Sequence, residues 1–316
     1  MAVDGERRRP WVWLLGAGAV LVLLGLLFWP GREPGGEGAA LGEEPQVEVV
    51  LGDGDVETMG IETYVAGVVA GEMLDGWPKA AYAAQAMVAR TFALQYLERH
   101  GGRRISTDFE EAQAYQPHKV TDLIREAVDA TRGRVITYEG EPIHAWFHAY
   151  AGGETASARE GLAFEEEEPP YIHSITLEPN PLVPEEYQHW SLSLPLAQVA
   201  QALEEAGTPV GSIQEITAEY GPTGRITQVR ITSADGRVTT LSGPEFRAAL
   251  DPERMKSNKV SRFAVDGGQL HIEGTGYGHG VGLSQWDALA MAREGKTAEE
   301  IVQTFYKGVT IERHWR

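Results

Sequence analysis

The sequence predicts an α+β fold: mixed antiparallel sheets and hairpins with several helices, preceded by one transmembrane helix. Three observations carry that reading. Along residues 46–316 the apolar positions switch repeatedly between a period of two and a helical period. Short strands are punctuated by Gly-, Asp- and Pro-containing turns, without the regular alternation of a doubly wound sheet. Residues 11–30, "WVWLLGAGAVLVLLGLLFWP", form an uncharged apolar run long enough to cross a bilayer as a helix.

Arg7, Arg8 and Arg9 precede that run and only Arg32 follows it closely. The positive-inside bias therefore keeps residues 1–10 in the cytoplasm and the remainder outside, as a single-pass protein of the cell membrane. Trp11, Trp13 and Trp29 stand at the two ends, where interfacial aromatics are expected. A cleaved signal peptide is the alternative; the run is long for one, and no small-x-small site follows it closely. Residues 31–45, rich in Gly, Glu and Pro, read as a flexible linker, and residues 46–316 as the extracytoplasmic domain.

Within that domain, Val47, Val49 and Leu51 alternate before a Gly-Asp-Gly-Asp turn, which predicts a hairpin. From Ile61 the period changes, and Ile61, Val65, Val68 and Val69 mark a helix ending near Met73. Pro78 opens a second, Ala-rich helix. Thr121 caps a third, which Gly133 closes. Residues 134–153 read as a hairpin turning at Glu139-Gly140, and "FEEEEPP" as an exposed, solvated loop. Residues about 188–255 read as a β-rich inserted portion: strand, helix, then strands turning at "GPTG" and "ADG". Two last helices carry "WDALAMAREG", with Ser284 as a candidate cap, and "TAEEIVQTFYKG".

The net charge of −19 argues against a nucleic-acid partner, and the absence of Cys excludes disulfides and thiolate metal sites. The run "GTGYGHGVGLSQWDA" (274–288) fails the dinucleotide fingerprint, because with Gly274, Gly276 or Gly278 as position one, position six is His279, Val281 or Leu283 and never Gly. Gly295-Lys296-Thr297 lacks the first Gly of a phosphate loop, and no His-Glu-x-x-His cluster exists. His279 is therefore either a structural His or a ligand contact. The run itself reads as a floor of bare backbone that lets a ligand or a neighbouring strand come close.

Glu72 continues the apolar stripe of positions 61, 65, 68 and 69. Burial there, and the helix C-terminus, both disfavour the carboxylate and suit a general acid. The alternative is a Glu at a fraying helix end reaching solvent. In "PIHAWFHAYAGGET" one strand face carries Ile143, Ala145, Phe147 and Ala149, and the other His144, Trp146, His148 and Tyr150. That ladder is either the wall of a carbohydrate or peptide cleft or a second buried face.

Taken together, "YVAGVVAGEM", "WPKAAYAAQAMVARTFAL", "AQAY", "FHAYAGGET", "GPEFRAAL" and "GTGYGHGVGLSQWDALAMAREG" resemble the stage II sporulation protein D family, whose domain is shared with amidase-enhancer proteins. The resemblance implies a membrane-anchored lytic transglycosylase acting in sporulation, during engulfment. Such an enzyme cleaves the bond between N-acetylmuramic acid and N-acetylglucosamine in peptide-free glycan strands and leaves 1,6-anhydro ends. It implies Glu72 as the catalytic acid and then base, with no cofactor. Arg90, Gln113, Tyr115, His148, Tyr150, Gly152, Gly153, His279 and Gln285 are its candidate substrate-binding residues; Arg90 is equally readable as a buried partner of a carboxylate. The partners implied are peptidoglycan strands, a cell-wall amidase and other sporulation membrane proteins. "ISTDFEEAQAY" lacks the Cys and His that some relatives carry there, so no metal is expected. A non-catalytic wall-binding activator of an N-acetylmuramoyl-L-alanine amidase is the competing reading.

Overall fold

The computed structural model describes residues 41–52, 54–107 and 113–316. The apolar run at 11–30 and the linker up to residue 40 lie outside them. Among the described residues no helix is long and apolar enough to cross a membrane.

The first half of the chain builds a helical layer. Strands β1 (Gln46–Val50) and β2 (Val56–Gly60) form the expected hairpin. Helix α1 (Ile61–Glu72) follows without a break, and α2 (Lys79–Arg99) starts directly after Pro78. Strand β3 (Arg104–Ser106) returns parallel to β1. Helix α3 (Asp122–Ala130) is capped by the Thr121 hydroxyl, which accepts from the Ile124 amide. Val65, Val68 and Val69 of α1, Met87 and Val88 of α2, and Ile124 and Val128 of α3 meet in the first core. Strands β4 (Arg134–Tyr138) and β5 (Glu141–Pro142) turn at Glu139-Gly140, both with positive φ, as a two-residue hairpin loop requires.

The expected strand through 143–150 is shorter than its alternation suggests. Phe147–His148 (β6) form the strand, and Tyr150 adds a single antiparallel bridge to Tyr277. The Trp146 amide donates back to the His144 carbonyl, and the Trp146 carbonyl accepts from Leu283 N and the Tyr306 hydroxyl, so the chain kinks and the alternation changes phase. The acidic loop is not merely solvated: Glu168 accepts from the amides of Ala158 and Arg159, at the start of α4 (Ala158–Leu162).

After α5 (Glu185–Gln188), the chain forms β7 (Trp190–Pro195), α6 (Leu196–Glu205), β8 (Ile213–Tyr220), β9 (Ile226–Ser233), β10 (Val238–Ser242) and α7 (Gly243–Ala249). Strands β11 (Val260–Asp266) and β12 (Gln269–Gly274) complete this part, because β12 pairs antiparallel with β7. The β-rich portion therefore extends to Gly274, past the expected limit near 255. It has its own core, including Trp190, Val229, Ile231, Phe246, Leu270 and Ile272. The chain then rejoins the first core through β13 (Leu283–Ser284), parallel to β6, then α8 (Gln285–Arg293), α9 (Ala298–Phe305) and β14 (Thr310–Arg313), which pairs with β4. Helix α9 begins with a Thr297–Glu300 capping box.

Arg90 and Glu62 lie inside the first core, 0% and 5% exposed. Glu62 accepts from Arg90 Nε at 3.0 Å and Nη2 at 2.6 Å, from Gly133 N at 2.9 Å and from Trp315 Nε1 at 2.9 Å. Arg90 also donates to the Arg134 carbonyl. This buried pairing, not an exposed cleft wall, is where the structure places Arg90. Arg90→Ala, which leaves the Glu62 charge buried and unpaired, is expected to cost about 3–5 kcal/mol in denaturant unfolding. Arg90→Met combined with Glu62→Gln removes both charges, keeps acceptors for Gly133 and Trp315, and is expected to cost clearly less. Equal losses would show that the charge pairing is not the source.

Candidate functional site

Glu72 is the last residue of α1, half-buried at the edge of the first core. Its Oε1 accepts from the Ala114 amide at 2.8 Å. Two glycines on α1 make that contact possible. A Cβ at Gly71 would lie 2.6 Å from the Ala114 carbonyl oxygen, and one at Gly67 2.2 Å from the Tyr115 ring. The bare helix face thus seats residues 114–116 directly on α1, with Gln116 N donating to the Gly67 carbonyl. Tyr115 stacks on Tyr64 at 5.6 Å, and the Tyr64 hydroxyl reaches Gln113 Oε1 at 3.5 Å.

Burial pushes the Glu72 carboxyl from an ordinary 4.5 up to about 7, against the Ala114 amide and the Gln285 side chain, which favour the charged form. Among the described residues, no second carboxylate contributes to that rise. The Gln285 amide lies near enough to act electrostatically but closes no hydrogen bond of ordinary geometry; its Nε2 has no protein partner, and neither has the buried Nε2 of Gln113. The Gln285 amide therefore stands near a protonatable carboxyl with donor capacity left for an oxygen atom, and the Gln113 amide, one residue before Ala114, has capacity left as well. Among the described residues, no group of three or more His, Asp and Glu is placed to hold a metal ion.

The loop after α1 is held by one hydroxyl: Tyr82 donates to the Leu74 carbonyl at 2.7 Å and accepts from Trp77 N at 3.2 Å. Leu74 is left 61% exposed two residues beyond Glu72. Trp77 meets Trp286 edge-on at 5.1 Å, and Trp286 neighbours Tyr187, which in turn lies 4.8 Å from Tyr277. A row of rings thus runs outward from Gln285.

The structure joins Glu72, Gln113, Tyr115 and Gln285 in one place and puts the other candidates elsewhere. His148 and His279 form a tilted pair 5.4 Å apart. Burial is the main cause holding both below the ordinary imidazole range, His279 down at about 4. His279 Nδ1 accepts from Val281 N, a structural role. Tyr150, 8% exposed, exchanges backbone hydrogen bonds with Tyr277. Gly152 and Gly153 take positive φ in a turn; Gly152 packs on Thr275 and Gly276, and the Gly153 carbonyl accepts from Leu177 N. The aromatic and imidazole ladder expected along one strand face is split: His144 stacks on Trp146 at 4.8 Å, away from the buried His148.

The glycine run is not a strand. Gly276, Gly278, Gly280 and Gly282 all have positive φ, and the space a Cβ would need is filled by the protein itself. At Gly282 it would meet the Trp146 carbonyl at 2.0 Å, and at Gly280 the Arg225 guanidinium at 2.3 Å. The close approach is to neighbouring chain. Ser284 precedes α8 but does not cap it: its hydroxyl accepts from Ala151 N and donates to Asp287.

Sequence reasoning missed Ala114, which acts through its amide and so leaves no side-chain signal. It also missed the ring row, although Trp77 and Trp286 sit inside the family-like segments. The raised carboxyl makes a stability prediction. The folded state holds the Glu72 proton more tightly than the unfolded chain, so stability present below pH 4.5 is lost as the pH rises through about 7. Glu72→Gln is expected to be no more stable than the wild type at pH 4. At pH 8 it is expected to be about 2–3 kcal/mol more stable, since one pKa unit corresponds to roughly 1.36 kcal/mol. Parallel denaturation curves at the two pH values check this; a pH-independent difference would contradict the burial of the carboxyl.

A family model described as Stage II sporulation protein matches residues 52–138, and a domain of unknown function matches 163–282. The stage II sporulation protein D of Bacillus amyloliquefaciens is 30% identical over 274 residues, covering 81% of this chain and 75% of that protein. An uncharacterized protein of Brachyspira hyodysenteriae is 30% identical over 263 residues, 81% of this chain and 67% of that one. The amidase enhancer of Bacillus subtilis is 25% identical over 289 residues, 78% of this chain but 40% of its own length. With the Glu72 helix inside the matched segment, and similarity extending across both cores, the chain belongs to the stage II sporulation protein D family.

Proposed function

We propose that the protein is a lytic transglycosylase of peptidoglycan, acting outside the cell on peptide-free glycan strands and tethered by the apolar run at residues 11–30. The observation that carries this reading is Glu72: a half-buried carboxyl whose proton is held up to about pH 7, with no second carboxylate acting on it among the described residues and the unpartnered Gln285 amide close by. As general acid, Glu72 gives its proton to the glycosidic oxygen while the C1–O bond of the muramic residue breaks through an oxocarbenium-like transition state. The carboxylate so formed takes the proton from the same sugar's C6 hydroxyl, whose oxygen bonds to C1. Atoms balance without water, so one carboxyl serves both steps and the second carboxylate of a hydrolase is not required. Gln285, and Gln113 next to the Ala114 amide that the acid accepts from, supply the amide donors for sugar oxygens, and the Trp286–Tyr187–Tyr277 rings offer stacking faces to the strand.

The test uses the full chain, solubilised in detergent, on peptide-free strands in ¹⁸O-labelled water. The wild type is expected to release anhydro-ended fragments carrying no label, and Glu72→Gln to lose about 10²–10⁴-fold in rate. Because the acid must be protonated, kcat/KM is expected to fall above about pH 7. Labelled reducing ends would instead mean hydrolysis. Binding without cleavage by the wild type would favour the second reading, a wall-binding amidase activator, which the similarity to the protein named amidase enhancer supports.

A further inference from the structure

The row of rings that starts at Trp286 ends at two cations. Lys256 Nζ lies 5.1 Å from the centre of the Tyr277 ring and 5.6 Å from that of Tyr187. Arg247 is close enough to Tyr277 to stabilise its phenolate. Both cations are held by main-chain carbonyls: Lys256 Nζ donates to Glu253 O at 3.2 Å, and Arg247 donates through Nε to Met255 O at 2.8 Å and through Nη2 to Pro252 O at 3.2 Å. Carbonyls fix a position without neutralising a charge. Among the described residues neither cation forms an ion pair, whereas nearby Lys259 pairs with Glu154 and Arg262 with Glu273.

What sets Lys256 apart from other cations without an ion pair is its place over the Tyr277 and Tyr187 rings, at the end of the row that leads from the acid. Asp251, Glu253 and Glu186 act on the Tyr277 hydroxyl through space, and Asp251 also on Arg247, without any of them forming an ion pair with Lys256 or Arg247. Their presence keeps the local field from being a broad anion attractor, so the two cations suit a single anionic group delivered on a ligand that also stacks on the rings.

We infer that Lys256, supported by Arg247, binds a carboxylate carried by a sugar of the glycan strand, at a position beyond the Trp286–Tyr187–Tyr277 rings. This rests on the glycan reading above. In a peptide-free strand the available carboxylate is the lactyl group of each muramic residue, a charge that an attached stem peptide would convert to a neutral amide. Lys256 is thus a specificity-determining residue that tells stripped strands from peptide-bearing ones.

The experiment compares peptide-free strands with the same strands whose lactyl carboxylates have been coupled to methylamine. Binding to full-chain Glu72→Gln protein and cleavage by the Glu72 protein are measured for wild-type Lys256, Lys256→Met and Lys256→Glu. A native far-UV spectrum and unchanged melting transition confirm that the variants fold. On carboxylate strands Lys256→Met is expected to weaken binding and raise KM about fivefold, the scale of one partly exposed ion pair, and Lys256→Glu to weaken both more. On amidated strands wild type and Lys256→Met should coincide. Equal affinity of wild type and Lys256→Met for carboxylate strands, or equal affinity of the wild type for both strands, overturns the inference while leaving cleavage intact. Charge-dependent binding without any cleavage would instead overturn the lytic reading and keep this one; no binding to either strand overturns both.

Discussion

A carboxylate withdrawn from water is tolerable only when nearly every lone pair is used, and Glu62 meets that condition by drawing together four distant parts of the chain. Arg90 comes from α2, Gly133 from the turn before β4, and Trp315 from the segment after β14, while Glu62 itself opens α1. The geometry that satisfies this buried charge also sets the direction of α1. Because Glu72 lies at the other end of the same helix, the acid's position follows from a pairing on the far side of the core. The helix acts as a rigid rod between two carboxyl groups that differ in how they are paired: Glu62 has a guanidinium, whereas among the described residues Glu72 meets amides.

A second buried charge joins the two cores. Arg225, 1% exposed, stands at the β8–β9 turn of the β-rich portion and donates to the carbonyls of Ala151 and Glu154 in the first. Glu160 accepts from Thr223 and from the Arg225 amide, and Gly280 lies flat against the guanidinium. The glycine run is the seam between the cores. Its amides bond in turn to Lys259, Tyr187, Tyr150 and Lys256, and the carbonyl of Gly280 receives Ala156. Such a segment has no room for side chains on its crowded side, and its repeated positive φ leaves glycine as the residue without a steric penalty.

Much of this was readable from residue patterns. The α1 boundaries, the Pro78 start, the Thr121 cap and the Glu139-Gly140 turn each follow from local chemistry, where one or two residues decide the backbone. Glu72 was legible for the same reason, as a polar residue continuing an apolar stripe. Arg90 and the glycine run were ambiguous because a charged side chain in an Ala-rich helix, or a bare backbone, does not say whether its neighbour is a ligand or the protein. Period-two alternation misled at 143–150, since the kink is made by amide and hydroxyl donors from residues 283 and 306 that no local window contains. The ring row and the Ala114 contact are likewise products of long-range packing.

The Trp315 bond to Glu62 spans 253 positions of sequence. Until that indole arrives, the buried carboxylate has an acceptor site facing either water or nothing, and α1 lacks its final restraint. Closing so long a loop carries an entropic cost that local helix formation cannot offset, so the orientation of α1 belongs to the late, cooperative stage of folding. The acid therefore acquires its raised affinity for a proton only in the finished molecule. A partly folded chain would carry an ordinary glutamate at position 72, ionised at neutral pH and without the proton the chemistry needs.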